Sequence, residues 1–580
     1  MAVVIPRVSL MIDMKNGDIN SHFEKFLPEE LISEPTYIDS LAFSLRLTID
    51  GTDYIIPGAN IKHCEVHAYS YGFEGSLGFY LPIDQRKDEL FTAFTSSSLI
   101  KIELGITGVH NLPDPSPDAF KVTGLVKDKS LSELSYRELT GNPVLYRYYQ
   151  IEFSDPAQVL WQQHYPSELY VKDTMSSVIN AQLVSPIDLI IDFAPADQVM
   201  PIICLVLGNT EQHTSGETGV SNQASFYDFL FDYCERNNAF FIYDYSSQSY
   251  LLKAENLDLK TGTPFLPHEI GKINIHWPAV KRSNTNLLNG VADGTKEVLI
   301  KNVASMDGVK HDIIMRKSVE DQFTERKNIE SKKVCVPSEQ LQVLFSQWPM
   351  QRFWPGCELT FNSEVDGQKY FYSYKKYRAH TCLISATAVD TTAEHDLDLN
   401  FTQYYLKYKV KAHNDSAEQS VLLPYLKPSY PLYVEGIVVS EQGGEDEKTF
   451  DVASNSETGQ FEYKVHIPLW DKTILVMLEP DFLNSHFYFP FYRGTKLLLA
   501  LELYRAHIHK VLSWGAGVKL PLATQGNHIL FGKKNGDETS LSHVYENSKP
   551  VFAIKRCKEK DTELVRLEEG SIIFQTCEES

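Results

Sequence analysis

One stretch, from Gln223 to Tyr245, changes from helical to strand periodicity within a few residues, and it constrains the fold more than any other part of the chain. Apolar side chains in its first half recur at i, i+3, i+4 and i+7, which predicts a helix with one apolar face. These side chains are Phe226, Phe229, Leu230 and Tyr233. The second half, Phe240-Phe241-Ile242-Tyr243, has the composition of a strand. The stretch therefore predicts a short helix that leads through a tight turn into an aromatic strand.

The two ends of this helix carry their own signals. Ser225 is a favourable N-cap residue, and Asp228 three residues later completes a pattern close to a capping box. Asn238 tolerates the left-handed conformation that a C-cap needs, and Arg236 suits the negative end of the helix dipole. The helix is therefore predicted to begin directly after Ser225 and to end at Asn238.

Strand-like alternation dominates the rest of the sequence. Aromatic residues make up 12% of the chain, with 31 Tyr and 31 Phe, and they favour strands over helices. Alternating apolar residues begin near Ser44, and a tyrosine-rich strand at 146–153 is followed by Asp155-Pro156-Ala157. Similar patterns return at 355–408 and at 433–509. At roughly 100–200 residues per domain, the 580 residues of the chain indicate about four domains in a mainly β protein.

Charge and cysteine usage exclude several classes of function. The net charge of −22 argues against a nucleic-acid-binding surface, since phosphate binding requires clustered Lys and Arg, so no nucleic-acid partner is expected. The apolar segment at the start of the sequence, Met1 to Leu10, is too short for a signal peptide. No other apolar run approaches the ~20 residues of a membrane helix. The 8 Cys are widely spread without a CxxC pair, which predicts reduced thiols in a protein made in the cytoplasm.

No catalytic motif stands out, so neither an enzyme nor a cofactor is predicted. The nucleophile-elbow, HExxH and P-loop patterns are all missing. Residues 396–400 have a calcium-like spacing, but the alternation of Leu397, Leu399 and Phe401 favours the inward face of a strand. His507 and His509 share one strand face and are weak candidates for a metal site.

A second motif lies at 526–547. Gly526 precedes an apolar strand, Gly536-Asp537 is a tight-turn signal, and the next strand ends in Val-Tyr545-Glu-Asn547. This motif resembles the end of the oligonucleotide/oligosaccharide-binding (OB) barrel of VgrG spike proteins, and 223–245 resembles the helix–strand segment of VgrG and phage central hubs. This sequence departs from the family at three places. Asn238 stands where the family usually has Gly, Leu522-Ala-Thr-Gln-Gly526 where it has Pro-Arg-x-Gly, and Asp537-Glu538 where it has Asp-Pro.

The resemblance implies a mainly β fold with some α: two tube-like β-barrels plus a helical insert form the hub, followed by an OB-fold barrel and a short C-terminal trimeric β-prism. It divides the chain into a first hub barrel at 1–155, a helix-containing hub domain with an insert at 156–335, a second hub barrel at 336–411, a linker at 412–431, the OB-fold domain at 432–547 and a spike stub at 548–580. The residues expected to matter structurally are Phe226, Phe229, Tyr233, Phe240, Phe241, Gly526, Gly536, Asp537, Tyr545 and Asn547.

The resemblance also implies a function and partners. A homotrimer would cap the hexameric inner tube of a contractile injection apparatus, adapt six-fold to three-fold symmetry and help pierce a target membrane that it touches transiently. Baseplate wedge proteins and a small PAAR-type tip protein or effectors are the other implied partners. Such a protein is assembled in the bacterial cytoplasm, or in a virion baseplate, and is ejected on contraction. The residues leave two alternatives open, a multi-domain β-rich carbohydrate-binding or adhesive protein and an enzyme with unrecognised residues.

Overall fold

The computed structural model describes residues 36–83, 89–109, 120–137, 143–208, 224–256, 259–260, 264–265, 267–291, 294–317, 319–351, 353–361, 364–365, 368–373, 375–393, 397–414, 423–442, 449–455, 459–477, 490–513, 526–534, 537–558 and 561–578. This part of the chain is mainly β with few helices, which confirms the predicted fold class. Among these residues, no helix is both long and apolar enough to cross a membrane.

The first barrel region supplies long antiparallel strands. They are β1 (Tyr37–Ile49), β2 (Thr52–Ile56), β3 (Ile61–Tyr69), β4 (Gly72–Pro82), β5 (Ile100–Gly108), β6 (Phe120–Arg137) and β7 (Pro143–Ser154), with the short helix α1 (Leu90–Phe94) between β4 and β5. Apolar side chains alternate along β1, and those from Leu41 to Ile49 that point to one side are buried. This period of two is what gives the sheet one wet face and one core face.

The helical region follows directly. Its elements are α2 (Pro156–Trp161), β8 (Ser167–Thr174), α3 (Met175–Ala181), β9 (Leu189–Asp192), β10 (Val199–Val206), α4 (Phe226–Asn237), β11 (Phe240–Asp244) and β12 (Ser249–Lys253). Strands β8 and β10 form an antiparallel ribbon, and β11, β12 and β9 form a small sheet beside α4.

The expected insert has a structure of its own. The elements in this region are β13 (Leu259–Lys260), β14 (Ile270–His276), β15 (Asn284–Asn289), β16 (Glu297–Ile300), β17 (Lys310–Met315), α5 (Glu320–Lys333) and β18 (Gln340–Phe345). Strands β15, β16 and β17 form a separate sheet, and Phe323 of α5 packs in its core with Leu287 and Ile300. Strands β14 and β18 pair with each other and extend the large sheet.

The two barrel regions of the hub are joined in one sheet. The remaining hub strands are β19 (Cys357–Leu359), β20 (Glu364–Val365), β21 (Gln368–Lys369), β22 (Tyr377–Ala388) and β23 (Phe401–Asn414). Because β22 pairs with β3, β23 with β1, and β22 with β23, the order β22-β3-β4-β7-β6-β5-β1-β23 closes on itself as a ring. Strands from 37–154 and from 377–414 therefore build this ring together.

One predicted strand face is wrong. Leu399 and Phe401 are 52% and 49% exposed rather than inward-facing. The reason is local: Asp398 has a positive φ of 63°, which breaks the alternation, and β23 begins only at Phe401.

A small closed barrel comes next in the chain. Its strands are β24 (Leu432–Val438), β25 (Val452–Ser454), β26 (Phe461–Ile467), β27 (Lys472–Met477), β28 (Lys496–Glu502) and β29 (Arg505–Ser513). The pairing order β24-β28-β29-β27-β26 closes through β24–β26, and β25 lies beside β26. The contact between β27 and β29 is parallel.

The C-terminal strands form an antiparallel sheet in chain order. They are β30 (Gly526–Lys534), β31 (Asp537–Glu546), β32 (Lys549–Lys558), β33 (Asp561–Glu568) and β34 (Ser571–Cys577). The resemblance put 526–547 at the end of the preceding barrel, whereas β30 and β31 pair only with each other and with β32 among the described strands. The sheet therefore runs through the boundary expected between 547 and 548, because the turn at Asn547 joins two paired strands.

Candidate functional site

Helix α4 buries a wide apolar face. Its periodicity predicted an apolar stripe, and Tyr227, Phe231 and Cys234 beside that stripe are also deeply buried. Glu235 and Arg236 lie on the opposite side and are exposed. The helix therefore has one broad face in the core of the hub and a narrower polar face toward water.

Both predicted caps of α4 are confirmed. The backbone N–H of Asp228 donates to Ser225 Oγ at 3.2 Å, and the Ser225 N–H donates to Asp228 Oδ2 at 2.9 Å, which completes a capping box. At the other end Asn238 has a φ of 54° and is the left-handed C-cap. Arg236 pairs with Asp232 one turn earlier, at 2.6 Å.

Four of the five aromatic residues singled out in this stretch lie in one hydrophobic core. The Phe226 ring stacks on that of Phe229 at a centroid distance of 5.9 Å and meets Trp161 edge-on at 5.1 Å. Tyr233 and Phe241 lie in the same hydrophobic core, whereas Phe240 is buried outside it. These side chains act by packing, because aromatic pairs of this geometry stabilise a core beyond their buried area.

A buried carboxylate ties the helical region to the ring, and sequence reasoning missed it. Asp155 is 1% exposed. Its Oδ1 accepts hydrogen bonds from Tyr250 Oη at 2.5 Å and from the Gln158 N–H at 3.0 Å. Its Oδ2 accepts from the Phe73 N–H at 3.2 Å. The available signal was Asp155-Pro156, since Asp followed by Pro is a favourable start for a helix.

Burial raises the pKa of the Asp155 carboxyl to about 6, while the hydrogen bond from Tyr250 opposes that shift. Tyr250 Oη also accepts from the Ala157 N–H at 3.0 Å, so one hydroxyl links β12 to the first turn of α2. Gly72 is required at its position because a Cβ there would lie 2.3 Å from Asp155 Oδ2. The network is therefore a closely fitted joint between three segments.

A second tyrosine connects the end of β11 to the hairpin that joins β3 and β4 in the ring. Tyr245 Oη lies within hydrogen-bond distance of the carbonyl oxygens of Gly72, at 2.6 Å, and Tyr69, at 2.9 Å. The Tyr243 N–H donates to the Ser70 carbonyl at 2.9 Å. The helix–strand unit and the ring therefore form one continuous packed body.

Strand β10 belongs to two cores at once. Ile203 and Leu205 point into the large core of the hub, whereas Ile202 and Cys204 point into the core of the small barrel. The Cys204 N–H also donates to the Leu503 carbonyl of that barrel at 2.8 Å. Because a strand alternates its side chains, one short segment forms a wall shared by hub and barrel.

The predicted residues near the C-terminus lie apart from the aromatic cluster. Gly526, Asp537 and Tyr545 are in β30 and β31, and Tyr545 is exposed. Asn547 has a φ of 50° in the turn before β32, while Gly536 lies outside the described residues. The motifs at 223–245 and 526–547 thus belong to different sheets of the fold and do not form one site.

An apolar row crosses the whole C-terminal sheet. Its members are direct neighbours in register: Ile529, Leu541, Ile554, Val565 and Phe574. The next row on this face includes Phe552, Leu567 and Ile572. None of these residues is buried, and Phe574 is 78% exposed. Within the described part of a single chain, this face has no core.

The weak metal candidates lie in the small barrel. His507 and His509 are both on β29, and the His509 ring is 4.8 Å from that of Tyr433. Within the described ranges, no group of three or more His, Cys, Asp or Glu residues is arranged to hold a metal ion.

No protein-family model and no curated protein sequence matches this chain. The solved structures that share its fold include the half-lidded and lidded forms of the Francisella PdpA–VgrG complex and a lidless PdpA–VgrG complex. A chain of the half-lidded form superposes with a TM-score of 0.67 and 14% identity over 92% of this chain and 88% of that one. The lidded form gives a TM-score of 0.68 and 14% identity, covering 93% and 80%, and the lidless form gives 0.66 and 13%, covering 93% and 98%. The chain therefore has the fold of a component of these complexes, consistent with the VgrG-like or phage tail spike family that its sequence resembles.

Proposed function

We propose that this chain is the structural hub-spike of a contractile injection apparatus: a type VI secretion system, an extracellular injection particle or a phage tail. It acts as a homotrimer that caps the hexameric inner tube, adapts six-fold to three-fold symmetry and helps pierce the target membrane. The fold shared with a component of the PdpA–VgrG complexes over most of the chain supports a spike-like structural role.

The uncovered face of the C-terminal sheet is the observation that carries this proposal. Two apolar rows cross that face, and Val551 and Ser540 are the buried residues in its described part. A lone sheet without a covered face is at best marginally stable in water. Three copies that turn their rows toward a common axis would bury these side chains together, as a trimeric spike stub requires.

The small barrel supports the expected OB-fold. Numbering its closing strands 1 to 5 along the chain gives the order 1-2-3-5-4-1, with strands 3 and 5 parallel. This is a five-stranded Greek-key barrel. The acidic chain lacks a net basic character, so the barrel serves here as a spacer between hub and spike rather than as a nucleic-acid binder.

The work of such a protein is mechanical. Strand β10 has one side in each core, so a push on the small barrel is carried into the hub through buried side chains. Baseplate wedge proteins and a PAAR-type tip are the further partners of this proposal, and assembly would take place in the bacterial cytoplasm or in a virion baseplate. Function then depends on burial and rigidity and not on a reactive group.

The test is the solution mass of the full-length protein by light scattering, together with one matched pair of variants. We expect three times the chain mass for the natural sequence. Phe574→Glu puts a charge into the apolar row and should dissociate the trimer. Gln575→Glu adds the same charge on the opposite face of β34 and should leave the mass unchanged.

A well-folded monomer of the natural chain would end the proposal. Specific binding of such a monomer on a glycan array would support the carbohydrate-binding alternative instead. Lysis of cell-wall preparations by the purified chain would support an enzyme.

A further inference from the structure

The insert carries a positive surface on a strongly acidic protein. Residues 281–317, here called the basic insert, hold seven Lys and Arg against four Asp and Glu, whereas the whole chain has a net charge of −22. Lys281, Arg282, Lys301 and Lys310 are all exposed. A positive segment on an otherwise negative chain is electrostatically complementary to the acidic surfaces of that same protein.

Hydrogen bonds hold the backbone of the loop before β17 in place next to these cations. Asn302 is 6% exposed, and its Nδ2 donates to the Lys281 carbonyl at 2.8 Å. Its Oδ1 accepts from the Ala304 N–H at 3.0 Å. This anchor leaves Val303 98% exposed at the tip of the loop. A rigid apolar tip beside cations is a preorganised contact surface, because less conformational freedom is lost on binding.

The complementary surface is a cavity of about 180 Å³ on the outside of the ring, here called the acidic wall. Glu65, Glu74 and Glu152 line it on β3, β4 and β7, and Lys127 is the cation among its lining residues. Ser154 also lines it, is fully buried, and its hydroxyl has no hydrogen-bond partner in the described structure. Such a hydroxyl costs free energy until a donor or acceptor reaches it.

A metal ion does not fit this wall, since the described His, Cys, Asp and Glu residues form no metal-binding group. The Glu65 carboxylate already bonds His67 at 2.7 Å, and Glu74 accepts from Tyr69 at 3.1 Å. An ammonium or guanidinium suits the site better, because it brings several donors to carboxylates and a hydroxyl at once.

The topology places the two surfaces on separate parts of one molecule. The basic insert leaves the ring through β14 and β18, which pair outward from β23. The acidic wall lies on β3, β4 and β7, which are two, three and four strands away from β23 in the closed order. Two different complementary patches on one subunit make head-to-tail contacts, and these close into a ring when the rotation permits.

We propose that the basic insert of one copy docks on the acidic wall of the next copy, with Lys301 or Lys310 entering the cavity and Val303 seated beside it. The inference rests on the trimer proposed above and adds a second contact that fixes the rotation between neighbouring hubs. The C-terminal sheet would hold the copies together, and the insert would set their order around the axis.

The experiment is zero-length carbodiimide cross-linking of the full-length protein, which joins amines only to carboxylates in contact. We expect cross-linked bands at two and three chain masses, and we expect their peptides to link Lys301 or Lys310 to Glu65, Glu74 or Glu152. In Lys301→Glu/Lys310→Glu these links should disappear, and association at low salt should weaken about tenfold or more.

The matched variants make the test specific. Glu65→Lys/Glu152→Lys should weaken association in the same way, and the fourfold variant that combines both reversals should restore it. Asp192→Lys/Asp471→Lys reverses two exposed acids elsewhere and should keep the cross-links. A trimer by light scattering that lacks these links overturns the docking while the trimer itself stands. A monomer overturns both.

Discussion

Tyr250→Phe is the sharpest test of the joint between the helical region and the ring. The substitution removes one oxygen from a fully buried ring and leaves the packing of that ring against Phe241 in place. Asp155 Oδ1 then loses its donor at 2.5 Å, and the Ala157 N–H loses its acceptor at 3.0 Å. The change therefore isolates hydrogen bonding from shape.

The magnitude follows from those two losses. A hydrogen bond to a charged group contributes roughly 1.5–3 kcal/mol, and a buried donor left unpaired costs roughly 1–3 kcal/mol. Taking the lower part of each range, we expect the free energy of local opening to fall by about 3 kcal/mol near neutral pH. Amide protection in the segment would then fall on the order of 100-fold.

The loss should depend on pH in a definite direction. The Asp155 pKa is raised to about 6 in the folded state, above its unfolded value of about 3.9, so the folded state holds the proton more tightly. Stability from this group is therefore greatest below pH ~4 and declines as pH rises through about 6. Without Tyr250 the folded pKa rises further, so the decline continues to higher pH. The penalty should grow from pH 6 to pH 8 and be smaller at pH 5.

The assay is native-state hydrogen exchange by mass spectrometry on peptides that span 155–163. Tyr243→Phe is the matched control, since the Tyr243 hydroxyl is buried without a hydrogen-bond partner and its ring packs 5.1 Å from that of Tyr250. Removing that hydroxyl should leave protection unchanged or raise it. Equal loss of protection in both variants, or a penalty that does not change between pH 5 and pH 8, would refute the reasoning.

Four further substitutions test the helix end and the shared strand. Asn238→Gly should keep or raise stability by up to about 1 kcal/mol, because Gly adopts the left-handed C-cap without strain, whereas Asn238→Val should lower the melting temperature. Ile202→Ala should expose the small barrel to hydrogen exchange and Ile203→Ala the hub, each at a cost of about 2–5 kcal/mol, since the two side chains enter different cores. Equal exchange in both bodies from either variant would contradict the division of β10.

Local signals made the helix–strand unit predictable. The start of α4 was readable from Ser225 and Asp228, and its end from Asn238, because caps depend on a few adjacent residues. What the same sequence did not reveal was the width of the buried face. A spacing of 3.6 residues marks the most apolar stripe of a helix, but it does not say how far neighbouring elements will cover the sides of that stripe.

Contacts between residues far apart in the sequence could not be predicted for a related reason. Nothing local marks Asp155 as the acceptor for Tyr250, which lies 95 residues further along the chain. The closure of the ring likewise depends on β22 pairing with β3 across more than three hundred residues. Strand patterns gave the strands and their faces, but pairing is decided by the whole set of strands that compete for each edge.

The contrast between the two ends of the chain explains why assembly and folding are separate problems here. The hub encloses several large side chains completely: Trp161, Tyr149 and Tyr227 are at most 1% exposed. The C-terminal sheet leaves Ile572 and Phe574 in water. In the proposed trimer, the hub of each chain would fold around its own buried side chains before it meets a partner, whereas the sheet would gain its core from other copies. The proposal therefore predicts a folded hub first and an ordered spike second, with the small barrel joined to the hub by the shared strand throughout.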